Sequence, residues 1–326
     1  MFAPPSGPRI AVLLPCYNES AAIGQTVAAF AAALPGAVVY VFDNNSTDDS
    51  RAIALAAGAV VRTVRQQGKG HVVRRMFADV DADIYVMADG DATYDAAAAP
   101  GMIRDMLDGD LDMVVGARKS EVDAAYRRGH VLGNRMLTGL LQTLFGRSFT
   151  DILSGYRVFS RRFVKSFPVL SAGFEIETEI SVHALELRMP VGERVTAYAA
   201  RPDGSESKLS TYRDGARILR MMVQLYRTER PLWFFGALSA LFLIVALGLA
   251  VPLLVTYIDT GLVPRFPTAM MSLGVVILAA LSLMCGLILD TVTRGRLEMR
   301  RLAYLAQPAP SMAIPAAADA AKRLIS

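Results

Sequence analysis

The sequence predicts an α/β domain with a mostly parallel central sheet, followed by two C-terminal transmembrane helices. Two observations lead to this prediction. Short apolar runs alternate with helical patterns between residues 9 and 116, which is typical of parallel strands whose connecting helices cover both faces of the sheet. Two long apolar stretches then follow, at residues 232–258 and 269–289. Each of them exceeds the ~20 residues that a helix needs to cross a bilayer.

The alternation predicts the order of the elements. The predicted strands cover residues 9–14, 38–42, 59–64, 83–88 and 111–116, and the predicted helices cover residues 19–34, a stretch from 49, 70–80 and 95–107. Beyond residue 119 we predict a helical stretch at 127–145, a strand at 158–160, a helix at 173–187 and a strand at 194–199. Ligands of such sheets bind beyond the C-terminal ends of the strands, so functional residues are expected in those loops.

Composition separates the chain into a polar part and an apolar part. With 326 residues the chain can form one large domain with an appendage. Its hydrophobic fraction of 53 % is high for a soluble protein, and the excess lies near the C-terminus. The net charge is +4 and much of the basic excess adjoins the apolar stretches, which favours anionic lipid over nucleic acid as a partner. Cys16 and Cys285 do not predict a structural disulfide.

Charge predicts the orientation of the two spans. Arginines lie beyond their outer ends, at Arg227, Arg230, Arg294, Arg296, Arg300 and Arg301. Between the two spans, residues 259–267 contain a single basic residue, Arg265. The positive-inside rule therefore places both ends in the cytoplasm. The N-terminus has no apolar segment long enough to predict a cleaved signal peptide.

Four parts follow from these patterns. Residues 1–210 form the α/β domain, residues 211–230 a juxtamembrane helix, residues 231–290 the two spans and residues 291–326 a cytoplasmic tail. The juxtamembrane segment sets apolar side chains against arginines, as in a helix that lies in a membrane interface. A helix packed on the α/β domain is the alternative interpretation.

Two carboxylates one residue apart follow the fourth predicted strand. Asp89 and Asp91 flank Gly90, and they could meet one Mg²⁺ or Mn²⁺ ion, directly or through water, if Gly90 lets the backbone turn tightly. The alternative interpretation is a solvated turn. A cation at this position would neutralise a diphosphate and stabilise it as a leaving group.

Polar residues after the other strands are expected at the same edge. Asp43 could accept hydrogen bonds from a nucleobase or ribose, and Glu19 could bind ribose hydroxyls. The run Gln-Gly-Lys-Gly at 67–70 can lie along phosphates, with Arg74 one turn further on. Basic residues that suit an anionic ligand, or alternatively a solvated face, follow the fifth strand: Arg118, Lys119, Arg127 and Arg128. A dinucleotide-binding Rossmann site is disfavoured because no Gly-x-Gly-x-x-Gly follows the first strand.

Six short motifs, taken together and in order, carry a resemblance. They are Pro15-Cys16-Tyr17-Asn18-Glu19, the run Asp-Asn-Asn-Ser-Thr-Asp at 43–48, Gly68-Lys69-Gly70, Asp89-Gly90-Asp91, Gly116-Ala117-Arg118 and Ser154-Gly155-Tyr156-Arg157. The set resembles the family 2 glycosyltransferases, in the branch that includes dolichol-phosphate mannose synthase and bacterial polyprenyl-phosphate glycosyltransferases. The resemblance covers about residues 9–230, and the two spans resemble the membrane anchor of many members.

The resemblance implies a GT-A fold, a UDP- or GDP-linked sugar donor, Mg²⁺ or Mn²⁺, inversion at the anomeric carbon and a polyprenyl phosphate acceptor. By matching motifs, the residues implied to bind the nucleoside are Pro15, Tyr17, Glu19 and Asp43. Asp89 and Asp91 match the metal and diphosphate positions, with Lys69 and Arg74 expected along the phosphates. Arg118 matches a residue that binds the acceptor phosphate, and Arg128, Asn134 and Arg135 are further candidates for that phosphate.

Two departures from the family pattern concern the metal. The middle residue of the acidic triplet is often Ala in the family and is Gly90 here. The residue two positions beyond the triplet is often Gln and a possible further ligand. Here it is Thr93, which leaves the third ligand open.

Glutamates on the helix at 173–187 are further candidates. One of Glu175, Glu177 and Glu179 could orient a sugar hydroxyl or an arginine of the acceptor site, and the alternative is a solvated acidic face. Glu177 and Glu179 are favoured because similar sequences carry an acidic residue here. Ser154 and Arg157 are also expected as possible sugar or acceptor contacts.

The chemistry of the acceptor agrees with this assignment. A phosphate monoester has a second pKa near ~6, so it is largely anionic at neutral pH and needs little help from a base. Positive groups that hold donor and acceptor in line matter more. A processive polysaccharide synthase would be expected to carry Gln-x-x-Arg-Trp, but the only tryptophan, Trp233, follows Pro231-Leu232.

We therefore predict an enzyme that transfers one sugar to polyprenyl phosphate, a multi-pass protein of the bacterial inner membrane with a cytoplasmic catalytic domain and a possible homo-oligomer. Transfer to another membrane lipid, such as diacylglycerol or ceramide, is the alternative among enzymes. A non-catalytic membrane scaffold that retains the fold is the alternative from another class.

Overall fold

The computed structural model describes residues 8–120, 139, 150–171, 173, 175–199, 220 and 223–310. The strands are β1 (Ile10–Cys16), β2 (Val38–Asp43), β3 (Val60–Thr63), β4 (Ile84–Met87), β5 (Met113–Ser120), β6 (Arg157–Ser160) and β7 (Val191–Tyr198). The helices are α1 (Ile23–Ala33), α2 (Ser50–Ala56), α3 (Lys69–Asp79), α4 (Ala99–Asp108), α5 (Arg161–Ser166), α6 (Ile176–Glu186), α7 (Pro231–Thr260) and α8 (Phe266–Leu305). The chain forms two compact units, Met1–Ala216 with Arg300–Ser326, and Arg217–Met299.

The first unit contains a seven-stranded sheet with the order β3-β2-β1-β4-β6-β5-β7. β1 pairs in parallel with β2 and β4, β2 with β3, and β5 with β7. Only β6 is antiparallel to its neighbours β4 and β5. The C-terminal ends of β1, β2, β4 and β5 therefore meet at one edge, as the sequence predicts.

Helices cover both faces of the sheet. Val12, Leu14 and Val86 share one buried cluster with residues of α1 and α4. Tyr85, which points to the opposite face because side chains alternate along a strand, packs edge to face against Phe77 of α3. All four residues of β4 are buried, so the prediction of a mostly parallel sheet covered on both faces is confirmed.

The second unit contains the two long apolar helices that the sequence predicts. The mean hydropathy of the most apolar 18-residue stretch is 2.7 in α7 and 2.5 in α8, and only 6 % and 17 % of these stretches are buried. The hydroxyl of Ser239 donates to the Ala279 carbonyl at 2.7 Å, and that of Ser272 donates to the Ala246 carbonyl at 3.0 Å. By length and composition both helices can cross a membrane.

Helix α8 continues beyond residue 290, where the predicted second span ends, to Leu305. Residues 300–305 belong to the first unit. There the hydroxyl of Tyr304 donates to Oδ2 of the fully buried Asp112 at 2.7 Å, and Arg300 pairs with Glu186. Residues 311–326 lie outside the described residues. So does most of the predicted juxtamembrane helix, of which residues 223–229 are helical.

Arg157, the first residue of β6, is fully buried. Its Nε donates to the Ser154 carbonyl at 2.9 Å, and its terminal nitrogens donate to the carbonyls of Ile152 and Glu177 and to the Ser181 hydroxyl. Burial lowers the pKa of Arg157 to about 10. The guanidinium expected as a sugar or acceptor contact therefore ties the turn before β6 to α6.

We expect Arg157→Met to destabilise the α/β unit by about 3 kcal/mol or more, because three buried carbonyls lose a charged donor. The measurement is thermal unfolding of the detergent-purified protein, followed by circular dichroism. Arg75→Met is the matched control, since the exposed Arg75 pairs with Asp79 one turn away and such pairs contribute about 0.5 kcal/mol. Equal losses in the two variants would contradict the structural role of Arg157.

Candidate active site

The loop after β1 is bound to the loop after β2 by hydrogen bonds. Asn18, which has a φ of 52°, donates its backbone N–H to the Ser46 hydroxyl at 2.9 Å and accepts from the Thr47 N–H at 2.8 Å. The Glu19 N–H donates to the Ser50 hydroxyl at 2.8 Å. These bonds hold the motif that begins at Pro15 beside the cluster that begins at Asp43.

Asn44 connects a third loop to these two. Its amide donates to the carbonyls of Val64 and Gln66 at 2.9 and 2.7 Å, and its Oδ1 accepts from the Gly68 N–H at 2.8 Å. Its backbone N–H donates to the Cys16 carbonyl at 2.8 Å. Asn44 therefore holds the predicted phosphate-binding run at 67–70 next to the ends of β1 and β2.

The residues expected to bind the nucleoside lie around this junction. Glu19 and Asp43 are 9 % and 4 % exposed. Pro15 and Tyr17 are partly exposed. The Pro15 carbonyl also explains Gly90, since a Cβ there would lie 3.2 Å from that oxygen and 3.1 Å from Ile23 Cδ1. Close approach of the Pro15 backbone, rather than a positive φ, therefore favours glycine at this position.

Lys69 lies between two carboxylates from different elements. Its Nζ is 2.5 Å from Asp89 Oδ1 and 2.5 Å from Glu177 Oε1. The side chains of Lys69, Asp89 and Glu177 are 11 %, 30 % and 7 % exposed. Burial lowers the pKa of Lys69, but the two carboxylates outweigh burial and hold this pKa above its usual value. The ammonium thus joins the starts of α3 and α6 to the loop after β4.

Asp91 is held by the residue two positions further on. Its Oδ1 accepts from the Thr93 hydroxyl at 2.6 Å and from the Thr93 N–H at 3.2 Å. Asp91 is 3 % exposed. Thr93 therefore orients the carboxylate, a role that differs from the further ligand considered from the sequence.

The carboxylate oxygens of Asp89 and Asp91 are suitable ligands for a divalent ion. Carboxylate oxygens suit Mg²⁺ and Mn²⁺, and Mg²⁺ is commonly held by one or two carboxylates together with substrate phosphates and water. Among the described residues no group of three His, Cys, Asp or Glu side chains surrounds one point. The described part of the loop after β4 therefore offers two carboxylates, and a diphosphate could supply further oxygens.

Arg118 on β5 is held by Asp151. Its Nε and one terminal nitrogen donate to the two Asp151 oxygens at 2.7 and 2.8 Å, a bidentate geometry that fixes the guanidinium plane. Burial raises the pKa of the Asp151 carboxyl, but the hydrogen bonds and charge of Arg118 outweigh burial and keep this pKa below its usual value. Glu193 of β7 in turn accepts from the Asp151 N–H at 3.1 Å.

Gly155, in the sixth quoted motif, lies against the acidic loop after β4. A Cβ on Gly155 would lie 2.7 Å from Asp89 Oδ2, and the Gly155 N–H donates to the Tyr94 hydroxyl at 2.9 Å. Ser154, expected as a sugar or acceptor contact, is fully buried and donates to the Gly116 carbonyl at 2.6 Å. It therefore fixes the turn beside β5 in this structure.

Arg74 and Glu179 both hold the loop before α6. Arg74 Nε donates to the Val169 carbonyl at 3.0 Å. The Glu179 carboxylate accepts from the N–H groups of Leu170 and Ser171 at 2.7 and 2.8 Å. Neither side chain belongs to the cluster of Lys69, Asp89 and Glu177, although the sequence predicts Arg74 beside Lys69 along the phosphates and Glu179 as a possible sugar or acceptor contact.

Several predicted site residues lie outside the described residues. They are Arg127, Arg128, Asn134 and Arg135, together with the side chain of Lys119. Their assignment to the acceptor phosphate stays a prediction.

Three residues of the site were missed from the sequence. Asn44, Asp151 and Tyr94 each lie within or beside a quoted motif, but their roles depend on contacts with residues 20 to 61 positions away in the chain: Val64 for Asn44, Arg118 for Asp151 and Gly155 for Tyr94. Burial, together with the negative charge of Asp89, raises the pKa of the Tyr94 hydroxyl, which keeps it protonated.

A surface cavity of about 590 Å³ lies along α1 and the end of β7. Its lining is mainly alanine, with Thr93, Tyr94 and Asp95 at one side. Lys69, Asp89 and Arg118 do not line it, so we place the candidate site at the carboxylate cluster on chemical grounds.

The sheet order, the single antiparallel strand and the acidic loop after β4 define the GT-A class of nucleotide-diphospho-sugar transferases. The model of glycosyl transferase family 2 matches residues 11–167. The glycosyltransferase AglJ of Haloferax volcanii is 32 % identical over 304 residues, which cover 92 % of this chain and 99 % of AglJ. The chain belongs to glycosyl transferase family 2, and the predicted family and fold are confirmed.

Two further similarities concern ligands. A dolichyl-phosphate hexose transferase of Haloferax volcanii is 26 % identical over 221 residues, covering 68 % of this chain and 95 % of that protein. A structure of glucosyl-3-phosphoglycerate synthase from Mycobacterium tuberculosis with Mn²⁺, UDP-glucose and phosphoglyceric acid is 27 % identical. It has a TM-score of 0.51 and covers 60 % of this chain and 73 % of that chain.

We expect Gly155→Ala to raise the Mn²⁺ concentration needed for half-maximal sugar transfer by roughly tenfold, because the new methyl group displaces the Asp89 carboxylate. The measurement is transfer rate against Mn²⁺ concentration, with the melting temperature recorded alongside. Gly101→Ala is the control, since the nearest atoms to its Cβ belong to the Arg194 guanidinium at the end of a long side chain. An unchanged Mn²⁺ requirement in Gly155→Ala would contradict the assignment of Asp89.

Proposed function

We propose that this glycosyltransferase carries out an inverting, metal-dependent transfer of a single sugar from a nucleotide-sugar to a polyprenyl phosphate. The reaction takes place on the cytoplasmic face of the membrane. One observation carries the proposal: the acidic loop after β4 and the guanidinium of Arg118 on β5 lie at the same edge of the sheet. The same chain contains two long apolar helices.

The part of the site that binds the nucleotide-sugar, which we call the donor half, lies at the ends of the first four strands. The junction held by Asn44 carries the nucleoside residues, and Lys69 starts α3 directly beside Asp89. Asp89 and Asp91 would hold the divalent ion, which neutralises the diphosphate as it leaves. Thr93 keeps the Asp91 carboxylate oriented for that task.

The acceptor half is built around Arg118. A guanidinium presents several donors in one plane, a geometry that matches the oxygens of an anionic phosphate. Because the acceptor phosphate is already a nucleophile at neutral pH, positioning is the main requirement. This half therefore needs a fixed cation and no general base.

The relatives and the apolar helices support a lipid acceptor. The dolichyl-phosphate hexose transferase is named for a phosphate on a long polyprenyl chain, and a membrane anchor keeps an enzyme close to such a lipid. A hydroxyl-bearing lipid is less well supported, since it needs a base. Glu177 is bound to Lys69, and Glu179 is bound to two backbone N–H groups.

The experiment that tests the proposal uses membranes containing the protein, a panel of labelled UDP- and GDP-sugars, and polyprenyl phosphate. We expect one donor to give a labelled lipid whose sugar is released by mild acid, as a glycosyl phosphate should be. Asp91→Asn should lower the rate at least about 100-fold with unchanged folding. A full rate in that variant contradicts the metal assignment, and label on diacylglycerol or ceramide instead contradicts the acceptor.

We expect Asp151→Asn to raise the KM for the acceptor roughly tenfold and to leave the KM for the donor unchanged, because Arg118 loses the partner that positions it. Steady-state kinetics with each substrate varied separately provides the measurement. Asp105→Asn is the matched control, because Asp105 makes the same bidentate pair with Arg194 at the surface. If donor and acceptor KM rise together, Asp151 does not act through Arg118.

A further inference from the structure

Asp89 would have two cationic partners, the Lys69 ammonium and the divalent ion. Asp89 is a proposed ligand of the divalent ion, yet its Oδ1 already accepts a 2.5 Å hydrogen bond from an ammonium. The same ammonium donates to Glu177 at 2.5 Å. Charge-assisted hydrogen bonds in a site with little water are strong, so this oxygen has a built-in cation as its partner.

An ammonium and a divalent ion compete for one carboxylate oxygen. Two cations at that atom repel each other, and the repulsion is large where water does not screen it. Lys69 must therefore leave Asp89 Oδ1 when a metal ligates that oxygen. Glu177 is 7 % exposed and comes from α6, so it can keep the ammonium in the site after the contact with Asp89 is lost.

The charges of the site indicate where the ammonium goes. Asp89, Asp91 and Glu177 carry three negative charges and Lys69 carries one positive charge, which leaves two negative charges. A divalent ion neutralises these two. Each phosphate of a donor diphosphate then adds a negative charge next to the metal, and Lys69, at the first turn of α3, can bind it.

We propose that Lys69 is an exchangeable cation: it holds Asp89 and Glu177 before the donor binds, and passes from Asp89 to the donor diphosphate as the divalent ion takes up Asp89. Glu177 is the positioning residue that retains the ammonium during this exchange. The inference rests on the metal and donor parts of the proposed function and does not depend on the acceptor. Metal and nucleotide then each strengthen the binding of the other, by the same factor.

The test measures Mn²⁺ binding by the loss of the free Mn²⁺ signal in electron paramagnetic resonance, using the purified full chain in detergent, with and without UDP. The decisive variant is Lys69→Met with Glu177→Gln. It removes one positive and one negative charge, so the net charge of the site is the same as in the wild type. Only the competition at Asp89 Oδ1 is removed.

Without UDP we expect the double variant to bind Mn²⁺ about tenfold more tightly than the wild type, because no ammonium competes for Asp89. With UDP present this advantage should disappear. UDP in the presence of Mn²⁺ should bind the double variant about tenfold more weakly, since the diphosphate has lost its ammonium. These two changes have opposite signs, which a loss of folding would not produce.

Two controls separate competition from a general effect of charge. Lys69→Arg keeps a cation and should show no gain in Mn²⁺ affinity without UDP. Arg74→Met removes a positive charge one turn further along α3 from a side chain that bonds the Val169 carbonyl. It should change Mn²⁺ affinity by less than about twofold. If the double variant does not fold, Lys69→Met alone has the same expected result.

Equal Mn²⁺ affinity of the double variant and the wild type without UDP would overturn the proposal, and so would an absence of coupling between Mn²⁺ and UDP in the wild type. The measurement uses neither lipid nor sugar transfer. A failure to label polyprenyl phosphate would therefore reject the proposed acceptor while leaving the exchange of Lys69 intact.

Discussion

The antiparallel insertion of β6 between β4 and β5 is the constraint on which the site depends. It pairs Arg157 with Met87 on one side and with Val115 on the other. The residues just before β6 are thereby fixed against both halves of the site: Gly155 lies against Asp89, and Asp151 binds Arg118. One short segment thus sets the separation between the acidic loop and the basic strand end.

The buried guanidinium of Arg157 makes this segment rigid. A charge inside a protein is tolerated when hydrogen bonds compensate it, and here the carbonyls of Ile152, Ser154 and Glu177 do so. The same bonds connect the segment to α6, which carries Glu177 towards Lys69. These two cations have different environments. Arg157 is bound by backbone carbonyls and is structural, whereas Lys69 lies between two carboxylates, from which a ligand could displace it.

The sequence predicts most accurately those features that depend on hydrophobic patterns within a short stretch of chain. The apolar runs that became β1 and β4 are buried on both faces, as in a covered parallel sheet. The strand-end rule placed Asp43, Asp89 and Arg118 at one edge. Roles were less accurate. Arg74, Glu179 and Ser154 lie near the site but bond the backbone, because burial and partner choice depend on elements distant in the chain.

The sequence by itself determined the family, the α/β fold, the two apolar helices and the edge of the sheet where we place the candidate site, since hydrophobic periodicity and motifs can be read along the chain. Only the tertiary structure decided which charges meet. Lys69 contacts Glu177, 108 positions away, and Arg118 contacts Asp151 across 33 positions. Electrostatic pairing depends on distances of a few ångström, and such distances arise from packing that no local pattern records.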